Sequence, residues 1–262
     1  MTAIDASTAM PKPSFGVGSR IGETFSIFFS RFGVFAVIGI AVGLLMQLPN
    51  FLILGPTAFD PTAQDPNAQL VAQNPVLFMV AAVLVPLLLY SIMTGMLVAA
   101  AYDAKAGRSA GVGSYVGAAF KNLLPLIGTA IVAWLLIGVG FALLVIPGIW
   151  LLGVFSVIVP AIMVEGAGFG ALKRSAQLTK EYRWPIIGFM IVIYLIFYAA
   201  SFAIGILGAL VAADMPMVFL VLQGVAGGIT AAIASVAVAV AYARLREIKD
   251  GVGFSDLADV FA

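Results

Sequence analysis

The chain has 262 residues, of which 63% are hydrophobic and 10% charged, with a mean hydropathy of +1.14. Soluble domains carry about 45–50% apolar and about 25% charged residues, so composition excludes a water-soluble fold and indicates a polytopic membrane protein. Cysteine and histidine are both absent, which rules out disulfides, thiol nucleophiles, His-ligated metals and histidine bases, and the net charge of +1 gains meaning only when placed along the chain.

Residues 1–14 are small and polar, with Pro11 and Pro13. They lack the basic start and apolar core of a signal peptide and predict a disordered cytoplasmic tail. Next comes Gly16-Val17-Gly18-Ser19-Arg20-Ile21-Gly22-Glu23-Thr24-Phe25, where Val17, Ile21, Phe25, Phe28 and Phe29 recur at helical spacing. Such a helix can lie in the membrane interface with Phe25, Phe28 and Phe29 among acyl chains. The phrase returns as Gly111-Val112-Gly113-Ser114-Tyr115-Val116-Gly117-Ala118-Ala119-Phe120, which makes Phe120 a further anchor. Looser echoes start at Gly166 and Gly251.

Apolar segments near 33–55, 76–102, 124–146, 149–164, 184–212 and 217–243 reach or approach the about 20 residues that a 30 Å hydrocarbon core requires. The fourth is short and carries Pro160, which predicts either a kink or a site where the bilayer is thinned. Pro147-Gly148 predicts a tight turn, making the third and fourth spans antiparallel neighbours. The second and sixth end alike, in Ala99-Ala100-Ala101-Tyr102 and Ala239-Val240-Ala241-Tyr242. Tyr102 and Tyr242 are expected at the interface, where a ring with one polar end is favoured.

All thirteen Lys and Arg precede the first span, follow the sixth, or lie between the second and third or the fourth and fifth. The opposite loops carry only Asp60, Asp65 and Asp214. The positive-inside rule then places both termini in the cytoplasm. The expected architecture is all-α, with six transmembrane helices in three parallel units of cytoplasmic amphipathic helix plus hairpin. The units run 15–105, 106–165 and 166–246, closed by an amphipathic segment at 247–262.

Small residues let membrane helices approach closely, so Gly39 with Gly43, and Gly224 with Gly228, read as packing strips. The span interiors hold no Asp, Glu, Lys or Arg, which argues against an ion- or proton-coupled carrier. Scattered hydroxyls and the absence of clustered acids give no material for catalysis, a cofactor or a metal. Nothing points to nucleic acid. The richest cluster is the basic loop between the fourth and fifth spans. There Ala171, Leu172, Ser175, Leu178 and Tyr182 form an apolar stripe while Lys173, Arg174 and Lys180 stay wet, and Arg183 and Trp184 turn into the next span. Juxtamembrane cations attract anionic headgroups at about 1 kcal/mol per charge. Glu165 reads as the ion-pair partner of Lys173 or Arg174.

Three blocks carry a resemblance: Pro147-Gly148-Ile149-Trp150, then Val159-Pro160-Ala161-Ile162-Met163-Val164-Glu165-Gly166, then Ala171-Leu172-Lys173-Arg174-Ser175-Ala176-Gln177-Leu178-Thr179-Lys180 with Trp184. The pattern resembles the glycerophosphodiester phosphodiesterase membrane domain and the related YciC-like inner-membrane proteins of bacteria. The resemblance is sharp across residues 147–185 and implies a bacterial cytoplasmic-membrane protein. It does not carry phosphodiesterase activity, because no soluble catalytic domain fits in this chain. It makes Glu165, Arg174 and Ser175 candidates for a structural or lipid-contacting motif.

The expectation is therefore a non-enzymatic membrane protein whose amphipathic helices engage anionic lipid of the inner leaflet, organising or shaping the membrane or scaffolding partners. Self-association fits wedges that act in arrays. Two other classes stay open. One is a passive lipid or solute transporter, scramblase or channel with a polar groove joining Gln47, Thr94 and Gln223. The other is an accessory subunit of a membrane enzyme or exporter.

Overall fold

The computed structural model describes residues 13–47, 74–105, 107–108, 110–212 and 215–251. The helices are α1 (Val17–Ser30), α2 (Phe32–Leu45), α3 (Pro75–Lys105), α4 (Val112–Lys121), α5 (Leu123–Leu143), α6 (Val145–Phe155), α7 (Ile158–Glu165), α8 (Ala171–Leu178), α9 (Arg183–Ala212) and α10 (Pro216–Asp250). A short 3-10 turn, Gly168–Gly170, precedes α8, and no strand occurs among the described residues. Five stretches are long and apolar enough to cross a membrane: 84–105, 123–143, 145–165, 183–203 and 218–250. The pair α1 and α2, bent by 87°, makes a sixth if the two count as one span. The predicted first span ran to 55, and its part beyond Gln47 lies outside the described residues.

The hub is α10, which packs against α1, α2, α3 and α9. Its tightest partner is α2, for a reason written in glycine. A methyl group on Gly39, Gly43 or Gly228 would run into the facing backbone, and one on Gly224 would meet Leu44. Lipid tails are as apolar as leucine, so helices associate here by close backbone approach rather than by escape from water. At 35 residues, α10 is about 52 Å long against a hydrocarbon core of about 30 Å. Its charged residues, Arg244, Arg246, Glu247, Lys249 and Asp250, all fall in its last two turns.

Two breaks differ from or refine the sequence reading. The hairpin between α5 and α6 turns at Leu144, whose backbone is extended (φ −162°, ψ 154°), and not at Pro147-Gly148. Pro147 lies in the first turn of α6, where its missing N–H deprives the helix of nothing. Gly148 lets the antiparallel helices touch, since a methyl there would strike the Phe141 ring. The kink expected from Pro160 falls at Ser156-Val157, one turn before the proline. A proline cannot bond the carbonyl four residues back and its ring presses on that carbonyl, so the break belongs there.

The amphipathic helices correct the sequence reading more deeply. Thr24, Ile27 and Phe28 of α1 are buried, as are Tyr115 and Ala119 of α4 and Ala171, Ser175 and Leu178 of α8. Their apolar faces meet the protein's own core. Phe28, expected among acyl chains, is only 1% exposed and stacks on Phe35 (centroids 5.7 Å apart). Phe25 is half-buried against Phe197, whereas Phe29 and Phe120 face outward, 64% and 55% exposed. Tyr102 and Tyr242, expected at the headgroups, are buried and lie edge to face, 6.1 Å apart. Both rings point into the bundle.

Candidate functional site

The sharpest part of the predicted motif is built around the end of α7. Gly166 stops that helix in the left-handed conformation (φ 63°), a conformation that costs glycine little. The chain then doubles back through the 3-10 turn, and α8 brings Arg174 to Glu165. The guanidinium forks onto the carboxylate: Arg174 Nε donates to Glu165 Oε2 at 2.8 Å and Nη2 donates to Oε1 at 2.9 Å. Arg174 Nη2 also donates to Asp250 at the end of α10. Arg246, one turn earlier on α10, donates from Nε to Asp250 Oδ2 at 2.9 Å and stands 3.4 Å from Glu165 Oε1. The Tyr242 hydroxyl closes the set by donating to Glu165 Oε1 at 2.5 Å.

Two arginines and two carboxylates thus balance, and they tie α7, α8 and α10 together. The Glu165 hydrogen bond raises the Arg174 pKa further above its already high value, against the opposing pull of burial. Burial pushes Asp250 up, but the hydrogen bonds and charges of Arg174 and Arg246 outweigh it and hold Asp250 below its ordinary value. The site is a clamp.

Ser175 plays a different part from its neighbour. Its hydroxyl is buried and donates to the Val154 carbonyl at 2.7 Å, with Thr179 donating to the same oxygen at 3.3 Å. The break at Ser156-Val157 frees the last carbonyls of α6 from their helical partners, and a buried carbonyl must find a donor. Pro160 therefore makes the kink, and α8 caps what the kink exposes.

The other basic residues divide cleanly. The Arg183 guanidinium sits 4.2 Å from the Trp150 ring centroid, a cation–π contact. Trp184 is exposed at the start of α9. Lys173 and Lys180 are exposed and have no acidic partner among the described residues. The six described acids, Glu23, Asp103, Glu165, Glu181, Glu247 and Asp250, are each in an ion pair with lysine or arginine. Five described cations take part in none of these pairs: Arg31, Lys121, Lys173, Lys180 and Arg183.

These pairs also gather the charged segments. Lys105 of α3 reaches Glu23 of α1, Lys249 of α10 reaches Glu181 at 3.2 Å, and Arg174 reaches Asp250. The segment before α1 joins them: Tyr182 donates to the Pro13 carbonyl at 2.8 Å and Arg244 to the Ser14 carbonyl at 2.7 Å. Phe15 is buried edge-on to Phe189. The tail expected over 1–14 is thus pinned at its last two residues, while 1–12 lie outside the described residues.

Sequence reasoning linked Glu165 to Arg174 but missed Asp250, Arg246 and Tyr242. The one available signal was the helical i, i+4 spacing of Arg246 and Asp250 past the end of the last span. The cavity that Thr94 lines is bordered by neither Gln47 nor Gln223. The C-terminal segment proposed at 247–262 is described only to Gly251.

Fold and site together define an all-helical protein with five or six apolar helices able to span a membrane, its ion-paired segments drawn to one end. Comparisons with protein families, with curated proteins and with solved structures return no match.

Proposed function

We propose that this is a non-enzymatic integral protein of a bacterial cytoplasmic membrane whose charged end holds anionic lipid headgroups on the cytoplasmic side. The observation that carries the reading is the surplus of cations among the described residues. Each described acid is already paired, yet Arg31, Lys121, Lys173, Lys180 and Arg183 pair with none of the described acids. Phosphate-bearing lipids supply that charge at the depth where Trp184, Phe29 and Phe120 are exposed. We further propose the three-unit arrangement read from the sequence, in which each unit brings a cationic stretch to the same face.

The geometry changes how such binding works. The apolar stripe of α8 is turned into the bundle, so α8 contributes charge and not a wedge. Insertion falls to Phe29, Phe32, Phe120 and Leu124, the exposed apolar residues flanking Arg31 and Lys121. Organising lipid, and through it a partner or a second copy, follows from a fixed array of cations better than from mobile wedges.

The test is lipid retention. The full chain is purified in mild detergent, mixed with equal phosphatidylglycerol and phosphatidylcholine, and examined by native mass spectrometry. Preferential retention of phosphatidylglycerol is expected, and the Arg31→Gln, Lys121→Gln, Lys173→Gln, Lys180→Gln variant should lose that preference. Equal retention of the two lipids by the unmodified protein would defeat the proposal.

A further inference from the structure

Deep in the bundle, α3, α5, α6, α7, α9 and α10 surround a cavity of about 290 Å³. It is close to the lower end of the roughly 300–1,000 Å³ typical of small-molecule sites. Its wall carries no charged side chain. Of the buried hydroxyls in it, Thr94, Thr129 and Ser235 donate to carbonyls of their own helices at 2.9, 2.7 and 2.8 Å, and only Ser91 has no acceptor among the described residues. An ionic ligand finds no counter-charge there.

The mouth is different. Tyr90, Trp134 and Tyr194 line it and are exposed, and neither tyrosine hydroxyl has a hydrogen-bond acceptor among the described residues. Their depth makes this a problem. Tyr90 stands fifteen residues before Lys105, about 22 Å along α3, and Tyr194 eleven residues after Arg183, about 16 Å along α9. Both lie well inside a hydrocarbon core of about 30 Å, where no water can satisfy a phenol. An O–H left without an acceptor in hydrocarbon costs several kcal/mol in the limit where nothing else bonds it.

We propose that this cavity binds a neutral, bilayer-dissolved quinone, its ring against Trp134 and its two carbonyl oxygens accepting from Tyr90 and Tyr194. The occupant must be uncharged, mostly apolar, soluble in the bilayer interior and equipped with acceptors at mid-depth. The ester carbonyls of phospholipids and diacylglycerols belong near the headgroups, too shallow for these phenols. A quinone carries a flat ring suited to an aromatic rim and two acceptors for two donors. The cavity accommodates the ring, and a prenyl tail leaves through the mouth into lipid. None of this depends on the cationic face.

The experiment uses the full chain in phosphatidylcholine nanodiscs with Trp150→Phe and Trp184→Phe, so that Trp134 alone fluoresces. Titration with a ubiquinone bearing one isoprene unit should give a saturable quenching component above the linear background from partitioning. Tyr90→Phe and Tyr194→Phe should each weaken that component about tenfold, the order of one hydrogen bond. Ala133→Phe, which fills the cavity, should abolish it while circular dichroism stays unchanged. Purely linear quenching overturns the proposal, as does saturation indifferent to all three substitutions. Full displacement by dioleoylglycerol at equal concentration also overturns it, by assigning the site to an ester lipid.

Discussion

Arg174 makes more of its five donors than any other side chain at the charged end. It is bidentate on Glu165 and reaches Asp250 as well, so its planar fork matters and a lysine cannot reproduce it. Arg174→Ala should destabilise the protein by about 1–3 kcal/mol, because it takes the bidentate partner from Glu165 and leaves it only Tyr242 and the longer contact to Arg246, and Arg174→Lys should recover less than half of that. Unfolding in detergent, followed by tryptophan fluorescence, measures both. Asp250 sets the pH response. Its folded pKa lies below the ordinary value of 3.8, so its contribution is complete above that pH and is lost as pH falls through the depressed folded value. The stability gap between the parent and Asp250→Asn should therefore be constant from pH 7 to about pH 5 and close in more acid solution. The Glu165–Arg174 pair was legible because the partners lie nine positions apart across a glycine stop. Asp250 and Tyr242 come from the far end of the chain, and composition of a loop says nothing about which helix end will arrive beside it.

At the scale of elements, spacing announced the glycine strips and the packing explains them. Gly228→Ala should be severely destabilising, since its methyl would enter the Gly39 backbone, which cannot swing aside as a side chain can. Gly227→Ala is the matched control: its methyl meets open space, and alanine gains up to about 1 kcal/mol over glycine in a helix. Thermal unfolding of the two variants should bracket the parent, and a tolerated Gly228→Ala would contradict the seam. Two elements were less legible. Pro147-Gly148 has turn composition, yet proline is equally at home in the first turn of a helix, and only the extended backbone of Leu144 decides between them. The stripes of α1, α4 and α8 show that one face is apolar. Periodicity is blind to whether lipid or protein covers that face, and here protein covers much of it.

For the whole molecule, the placement of charge was the most readable property. Lysine and arginine are too costly to leave in hydrocarbon, so their positions mark where the chain emerges. A chain without cysteine is ready for labelling. Lys121→Cys and Lys180→Cys both stand on exposed side chains and should react with a membrane-impermeant maleimide only after the cell is opened. Labelling of either from outside would reverse the orientation proposed above. What no local pattern could show is how the ends are joined. Arg244 holds the carbonyl of Ser14 across 230 positions, and Tyr182 holds that of Pro13 across 169.

That strap has a bearing on biosynthesis. Its two anchors are translated long after the residues they grip, so Pro13 and Ser14 leave the ribosome well before their partners exist. Until α10 is inserted, the Ser14 carbonyl lacks Arg244, and a nascent chain halted before that point would hold this segment by Tyr182 and Phe189 alone.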